Sequence, residues 1–216
     1  VVALGSDPAA ARDRLTSLRK AATSRHEVVA VLPEGASAPL REVAEELAER
    51  TVEVPPGFGV ASAWNRGAAV ARGRFVAFCA AEQVPPGWDV TLAATADRHP
   101  SALVVAAATP DGDEGDGDLA VPPGAGALLA PFSTAPPAAL YLLPTPEARA
   151  LGPWDEGYLD AGGLALDLCF TAWTNGRDVV VDHDVEVVPV RGGEAPVEAV
   201  VGRPAIPAAH RADVGL

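Results

Sequence analysis

The stretch GFGVASAWNRGAAVARGRFVAFCAAEQVPPGW, residues 57–88, decides which fold this chain is expected to have. Small and apolar residues over 60–71 predict a helix, and the apolar run over 74–79 predicts a buried strand. Two alanines and Glu82 follow the strand, and residues 86–88 then form a Pro-Gly-Trp turn. The stretch therefore reads as a helix, a strand and a short connection whose only acidic residue is Glu82.

Strands and helices alternate on both sides of this stretch. Asp7 followed by Pro8 predicts the N-cap and the first residue of a helix. Strands are expected over 1–4, 27–32, 51–54 and 102–108, and helices from residue 8, near residue 40 and over 88–98. Strands that alternate with helices of this length form right-handed βαβ units. We therefore predict an α/β protein with a mostly parallel central sheet flanked by helices.

The composition changes after the fifth predicted strand. The tract DGDEGDGD, residues 111–118, has no periodicity and predicts a solvated acidic loop. An EF-hand does not fit this tract, because Gly115 stands where an oxygen ligand is needed. Further elements are expected as strands near 127–130 and 139–143, a helical turn over 146–151, a helix over 162–174 and one or two strands over 178–190.

These elements predict a single domain over residues 1–190. It consists of two sequence halves, 1–109 and 126–190, joined by a loop over 110–125. A tail rich in Pro, Gly and Ala, residues 191–216, is expected to pack loosely.

Composition argues against several classes of function. The 216 residues carry a net charge of -13, and 16 basic residues do not supply the positive surface that nucleic acid requires. No apolar run approaches the roughly 20 residues of a membrane-spanning helix, and no signal peptide is evident, so a soluble, cytoplasmic protein is expected. Cys79 and Cys169 are expected to be buried free thiols. The sequence contains no Met, which indicates a processed chain or part of a longer one.

The stretch 57–88 resembles the same region of the family 2 glycosyltransferases of the GT-A fold. Ala63, Asn65 and Gly67 match the family's A-x-N-x-G helix, and the Pro-Gly-Trp turn matches the turn after its Asp-x-Asp motif. The resemblance implies a single-domain GT-A-like sandwich with a small acceptor-side β element, and a nucleotide-sugar as ligand. A second block over 140–188 resembles the family's acceptor half through Gly152, Trp154, Asp155, Glu156, Asp167, Leu168, Cys169 and Gly176.

By this resemblance, four residues outside the acidic motif are candidates for binding a nucleotide-sugar. Glu34 replaces the acidic residue that holds the nucleoside, with a solvated turn residue as the alternative. Asn65 belongs to the helix motif, and Trp64 stands before it where a cation usually faces the diphosphate. The indole either turns inward and fills the pocket or turns outward and stacks on a base or sugar, and its small neighbours favour the inward orientation. Arg66 is the nearest cation, about 100° around the helix from Trp64.

The same resemblance predicts altered metal and base sites. Alanines occupy the first two positions of the acidic motif, so Glu82 is the one carboxylate left to bind a sugar-nucleotide or a cation. No cofactor is predicted, and Mn²⁺ or Mg²⁺ would bind only if Glu82 sufficed. Leu164 and Ala165 stand where the catalytic base is expected. Asp160, shortly upstream, is therefore the candidate base, with helix capping as the alternative.

Two functions follow from these assignments. The favoured one is a glycosyltransferase-like protein, degenerate for metal-dependent transfer, that acts as a binding or partner subunit with another protein or a second copy of itself. It is favoured because the nucleotide, metal and base positions are altered together. The alternative is an active, metal-independent transferase that moves a sugar from a nucleotide-sugar to a hydroxyl acceptor, using Glu82, Asp160 and Arg66. A nucleotidyltransferase is disfavoured, because the loop over 5–8 does not resemble a triphosphate cradle.

Overall fold

The structure, a computed structural model, describes residues 1–55, 59–109, 125–130, 139–150, 154–156 and 161–189. In these residues the helices are α1 (Pro8–Ala21), α2 (Ala38–Leu47), α3 (Val60–Val70), α4 (Trp88–Arg98), α5 (Thr145–Ala150) and α6 (Ala161–Thr174). The strands are β1 (Val2–Ala3), β2 (Val29–Pro33), β3 (Arg50–Val54), β4 (Phe75–Cys79), β5 (Ala81–Gln83), β6 (Ala102–Ala108), β7 (Ala127–Leu129), β8 (Leu140–Pro144), β9 (Asp178–Glu186) and β10 (Val188–Pro189).

Eight of the strands form one sheet in the order β3-β2-β1-β4-β8-β6-β9-β7. Strands β7 and β8 run antiparallel to their neighbours, and the other six run in one direction. The predicted α/β fold with a mostly parallel sheet is therefore confirmed. The short antiparallel pair β5-β10 forms a second, two-stranded sheet. The sequence analysis predicted one or two strands over 178–190 but no strand at β5.

Helices cover both faces of the large sheet. Side chains alternate along each strand, so Cys79 joins the core under α1, α2 and α4, whereas its neighbour Phe78 joins the core under α3, α5 and α6. The two cores contain the largest buried aliphatic and aromatic side chains, among them Leu15, Leu40 and Leu92 on the first face and Trp64 and Leu164 on the second. One sheet thus supports two cores.

Local signals account for several helix ends. The Asp7 side chain accepts a hydrogen bond of 2.8 Å from the amide of Ala9, with Pro8 at the first helical position, as the sequence predicts. Ser37 caps α2 in the same way. After α6, Gly176 adopts a positive φ of 66°, a conformation that glycine takes without a steric cost.

Several expectations of the sequence analysis can be compared directly with the structure. Cys79 and Cys169 are both buried and free, as predicted, and burial raises the pKa of Cys169 to about 12. In the part of the chain that is described, no helix has the length and apolarity to span a bilayer. The acidic tract over 111–118, Asp160 and the tail over 191–216 lie outside the described residues.

Candidate functional site

The carboxyl ends of the parallel strands β1 to β4 lie at one edge of the sheet. The chain leaves β1 through α1 toward β2 on one side, and it leaves β4 through β5 and α4 toward β6 on the other side. Neighbouring strands whose connections depart in opposite directions create a crevice, and ligands of open α/β sheets bind at such a point. The gap between the ends of β1 and β4 is therefore the candidate site.

Strands β1 and β4 both end at this gap. The amide of Cys79 donates to the carbonyl of Val1 at 3.1 Å, and the next amide, of Ala80, points to the opposite side of the strand and donates to the carbonyl of Ala139 at 2.7 Å. The carbonyls of Ala3 and Cys79, at the ends of the two strands, are bound by the guanidinium of Arg14 from α1, at 3.0 and 2.5 Å. A cation thus lies where the two strands end, a feature that the sequence analysis missed.

Two predicted acidic residues lie at the same edge. Glu34 directly follows β2, where its amide donates to the carbonyl of Val54 at 2.7 Å and its side chain is exposed. Glu82 lies in β5 and is also exposed. Because Ala81 is buried in the core under α1, the alternation of the strand directs Glu82 away from that core. The structure therefore leaves both carboxylates accessible.

Trp64 lies in the core under α3. Its indole is fully buried, with its ring centroid 5.1 Å from Phe78, 5.7 Å from Trp154 and 6.4 Å from Tyr141. The inward orientation favoured from the sequence is the one observed. A side chain with no exposed surface cannot contact a bound nucleotide, so the expectation that Trp64 binds the nucleotide-sugar is corrected, and the residue belongs to the core.

Asn65 joins α3 to the turn that contains Trp154 and Glu156. Its side-chain oxygen accepts from the amide of Trp154 at 2.5 Å, and its side-chain nitrogen donates to the carbonyl of Trp154 at 3.0 Å and to Oε1 of Glu156 at 3.2 Å. The hydrogen bonds of this amide therefore hold the two sequence halves together. The predicted contact of Asn65 with a nucleotide remains a prediction. Arg66, the next residue, is exposed.

Gly67 of the same motif has a packing role. A Cβ atom built on it would lie 2.2 Å from Cγ1 of Val1, far inside the contact distance of two carbon atoms. The glycine therefore allows α3 to approach the start of the sheet closely. In this structure the A-x-N-x-G pattern is explained by packing and by a hydrogen-bonded turn.

The positions expected to hold a metal ion and a base carry mostly apolar side chains. Ala80 and Ala81 offer no side-chain oxygen, and no group of three or more His, Cys, Asp or Glu side chains suited to a metal occurs among the described residues. Leu164 and Ala165 are buried in α6, where a base would need to reach an acceptor. Over residues 80–83, Glu82 is therefore the one carboxylate that the structure describes.

The model of the family described as "Glycosyl transferase family 2" matches residues 5–126, more than half of the chain. The chain belongs to this family. Among curated protein sequences, none matches it significantly.

Solved structures share this fold at low sequence identity. S. aureus TarS 1-349 in complex with UDP-GlcNAc is 19% identical, with a TM-score of 0.68, and the match covers 93% of this chain and 60% of that one. GalNAc-T7 with UDP, GalNAc and Mn²⁺ is 15% identical, with a TM-score of 0.65, and the match covers 90% of this chain and 43% of that one. This family 2 chain thus spans less than two thirds of either structure, and the likeness concerns the fold.

Proposed function

We propose that this family 2 protein binds a nucleotide-sugar at the carboxyl ends of β1 to β4 and is degenerate for metal-dependent sugar transfer. One observation supports the second part above others: alanines stand at the first two positions of the acidic motif, with Glu82 as the single carboxylate. One hard oxygen ligand is too few for Mg²⁺ or Mn²⁺, which prefer several. The buried Leu164 and Ala165 at the expected base position support the same proposal.

The binding of a nucleotide is supported by an accessible carboxylate at the carboxyl ends of the parallel strands. Glu34 is exposed at the end of β2, where its carboxylate can accept hydrogen bonds from a ribose or a base. The ligands of the two structures with this fold, UDP-GlcNAc in one and UDP in the other, make a uridine nucleotide the first choice for this chain. The protein would then act as a binding or partner subunit, with another protein or with a second copy of itself.

Calorimetric titration with UDP-GlcNAc, in EDTA and then in Mn²⁺, tests this proposal. The expected result is saturable binding whose affinity is the same in both solutions, with Glu82→Ala almost silent. The matched variant Glu34→Ala should weaken binding about tenfold, as the loss of a charged hydrogen bond predicts. A manganese-dependent rise in melting temperature that disappears in Glu82→Ala would overturn the proposed loss of the metal site, because a ligand stabilises the state that it binds.

A second candidate function is metal-independent transfer to a hydroxyl acceptor. It is favoured by one observation: Glu82 and Arg66, which this mechanism would use, are both exposed. In that case Asp160 remains the proposed general base, and Asp160→Asn should lower turnover by about 10²-fold or more with little change in stability. Asp167→Asn, on helix α6, should instead act mainly on stability. Equal turnover of Asp160→Asn and the parent protein would remove Asp160 from the mechanism.

A further inference from the structure

Arg14 differs from the other arginines of α1 in its partners. Arg12 and Arg19 each form an ion pair of 2.7 Å, with Glu46 and Glu49 respectively. Arg14 forms none with the residues that the structure describes, although the chain has 29 acidic residues against 16 basic ones. Its two protein partners are the carbonyls at the ends of β1 and β4. Its positive charge is therefore balanced by no carboxylate in this part of the chain.

The guanidinium also keeps unused donors. It carries five N–H groups, of which two bind carbonyls, one through Nη1 and one through Nη2. Each of these nitrogens thus retains a second hydrogen, and Nε is buried without a partner. The side chain is partly exposed, so that a ligand at the edge of the sheet can reach it. A partly buried charge without a counter-ion is unfavourable, and an anionic ligand would relieve this cost.

From this geometry we infer that Arg14 binds the diphosphate of the nucleotide-sugar, at the crevice between the ends of β1 and β4. The inference rests on the proposed function and assigns to one residue the charge that faces the phosphates. The carbonyls of Ala3 and Cys79 hold the guanidinium in place, so little side-chain entropy is lost when the ligand binds. The adjacent motif offers one carboxylate for a metal ion, whereas Arg14 offers a fixed cation.

The test compares UDP, UMP and uridine by calorimetry in EDTA. In the parent protein, UDP should bind about tenfold or more tightly than uridine, because the phosphates add hydrogen bonds to a charged group. Arg14→Gln should abolish this difference while leaving the affinity for uridine unchanged. Arg149→Gln is the matched control: Arg149 also binds carbonyls, of Ala68 and Ala71 at the end of α3, close to the amino end of β4. It should retain the preference for UDP.

Three results would overturn the inference. Arg14→Gln could keep the full preference for UDP, or the parent protein could bind uridine and UDP equally in EDTA; nucleotide binding as such would then stand without Arg14. If the parent protein bound neither UDP-GlcNAc nor a GDP-sugar, the proposed function would fail together with this inference.

Should Arg14→Gln not fold, Arg14→Lys preserves the positive charge but lacks the bidentate hydrogen-bonding geometry of the guanidinium. Arg14→Lys should bind uridine as the parent protein does. Its preference for UDP over uridine should be smaller than that of the parent protein and larger than that expected without a cation at this position.

Discussion

At the scale of single residues, the carboxylate of Asp89 shows how a buried charge is stabilised. It lies in the first turn of α4 and accepts hydrogen bonds from the amides of Thr23 and Ser24, at 3.0 and 2.7 Å, and from the Ser24 hydroxyl at 2.5 Å. Burial raises the pKa of Asp89, but the hydrogen bonds from Ser24 and Thr23 together lower it by more than burial raises it. The pKa of Asp89 therefore lies below its ordinary value. The residue thus ties the end of α1 to the start of α4.

Asp89→Asn should therefore destabilise the protein by about 1–3 kcal/mol at pH 7. A pKa lowered in the folded state contributes stability that is present above the unfolded value of about 3.9 and is lost as the pH falls through the folded pKa. The difference between variant and parent should accordingly shrink below about pH 4. Urea unfolding across this range measures it. Asp97 lies on the same helix as Asp89, and Asp97→Asn removes its exposed ion pair with Arg74, which precedes β4. This change should cost less than about 1 kcal/mol at either pH.

Gly67 provides a second prediction at this scale. Gly67→Ala should cost about 1–3 kcal/mol, because the added methyl overlaps the Val1 side chain. The double variant Val1→Ala/Gly67→Ala should recover part of this loss. A double-mutant cycle by thermal unfolding measures the coupling between the two positions. Strict additivity would show that the overlap is not the cause.

At the scale of elements, α3 is held on three sides. Its Trp64 packs into the aromatic cluster with Phe78, Tyr141 and Trp154, Gly67 approaches β1, and Asn65 binds the turn that follows. The helix therefore connects the first half of the sequence to the turn that precedes α6. An element with so many long-range contacts is expected to open only with the whole domain.

Asn65→Ala should detach the turn at Trp154 to Glu156 from α3. It removes the partner of both the amide and the carbonyl of Trp154, and leaving such groups unpaired costs about 1–3 kcal/mol. Hydrogen exchange at the Trp154 amide should accelerate more than elsewhere in the sheet. Asn175→Ala is the matched control, because Asn175 binds the carbonyl of Thr171 within a single turn. Unchanged exchange at Trp154 in Asn65→Ala would contradict the connecting role.

At the scale of the whole molecule, the two sequence halves are interleaved in the sheet. Strand β8, from the second half, pairs with β4 and β6, both from the first half. Strand β9 then pairs with β6 along its length, and β10 returns to pair with β5 beside Glu82. The two halves on either side of residues 110–125 are therefore halves of the sequence only, because both contribute side chains to the same hydrophobic cores.

A fragment of residues 1–109 should therefore not fold by itself. Without β8 the facing edges of β4 and β6 would be left unpaired and the core under α3 would lose Tyr141, Leu143 and the residues of α6. Thermal unfolding followed by circular dichroism should show no cooperative transition for the fragment, in contrast to the full chain. A sharp transition at a similar temperature in both would show that the first half is an independent unit.

Features that depend on short stretches of chain could be predicted from the sequence. The N-cap at Asp7, the alternation of strands and helices and the buried state of both cysteines follow from local propensity and apolar periodicity. The family was predicted from two motif blocks, and the family model matches residues 5–126, which contain the first of them. The alanines at residues 80 and 81 can also be read directly, since they are a matter of residue identity. The loss of a metal site at this place stays a prediction.

Contacts between residues on different strands and helices became evident only in the folded protein. The place of β8 between β4 and β6, the contact of Asn65 with Trp154 and the position of Arg14 at two strand ends join residues far apart in sequence. No periodicity within one element specifies these pairings, because they depend on how the strands are ordered and on which groups remain unpaired when they meet. The candidate cation of the site was missed for the same reason: in the sequence, Arg14 is one of several arginines on an exposed-looking helix.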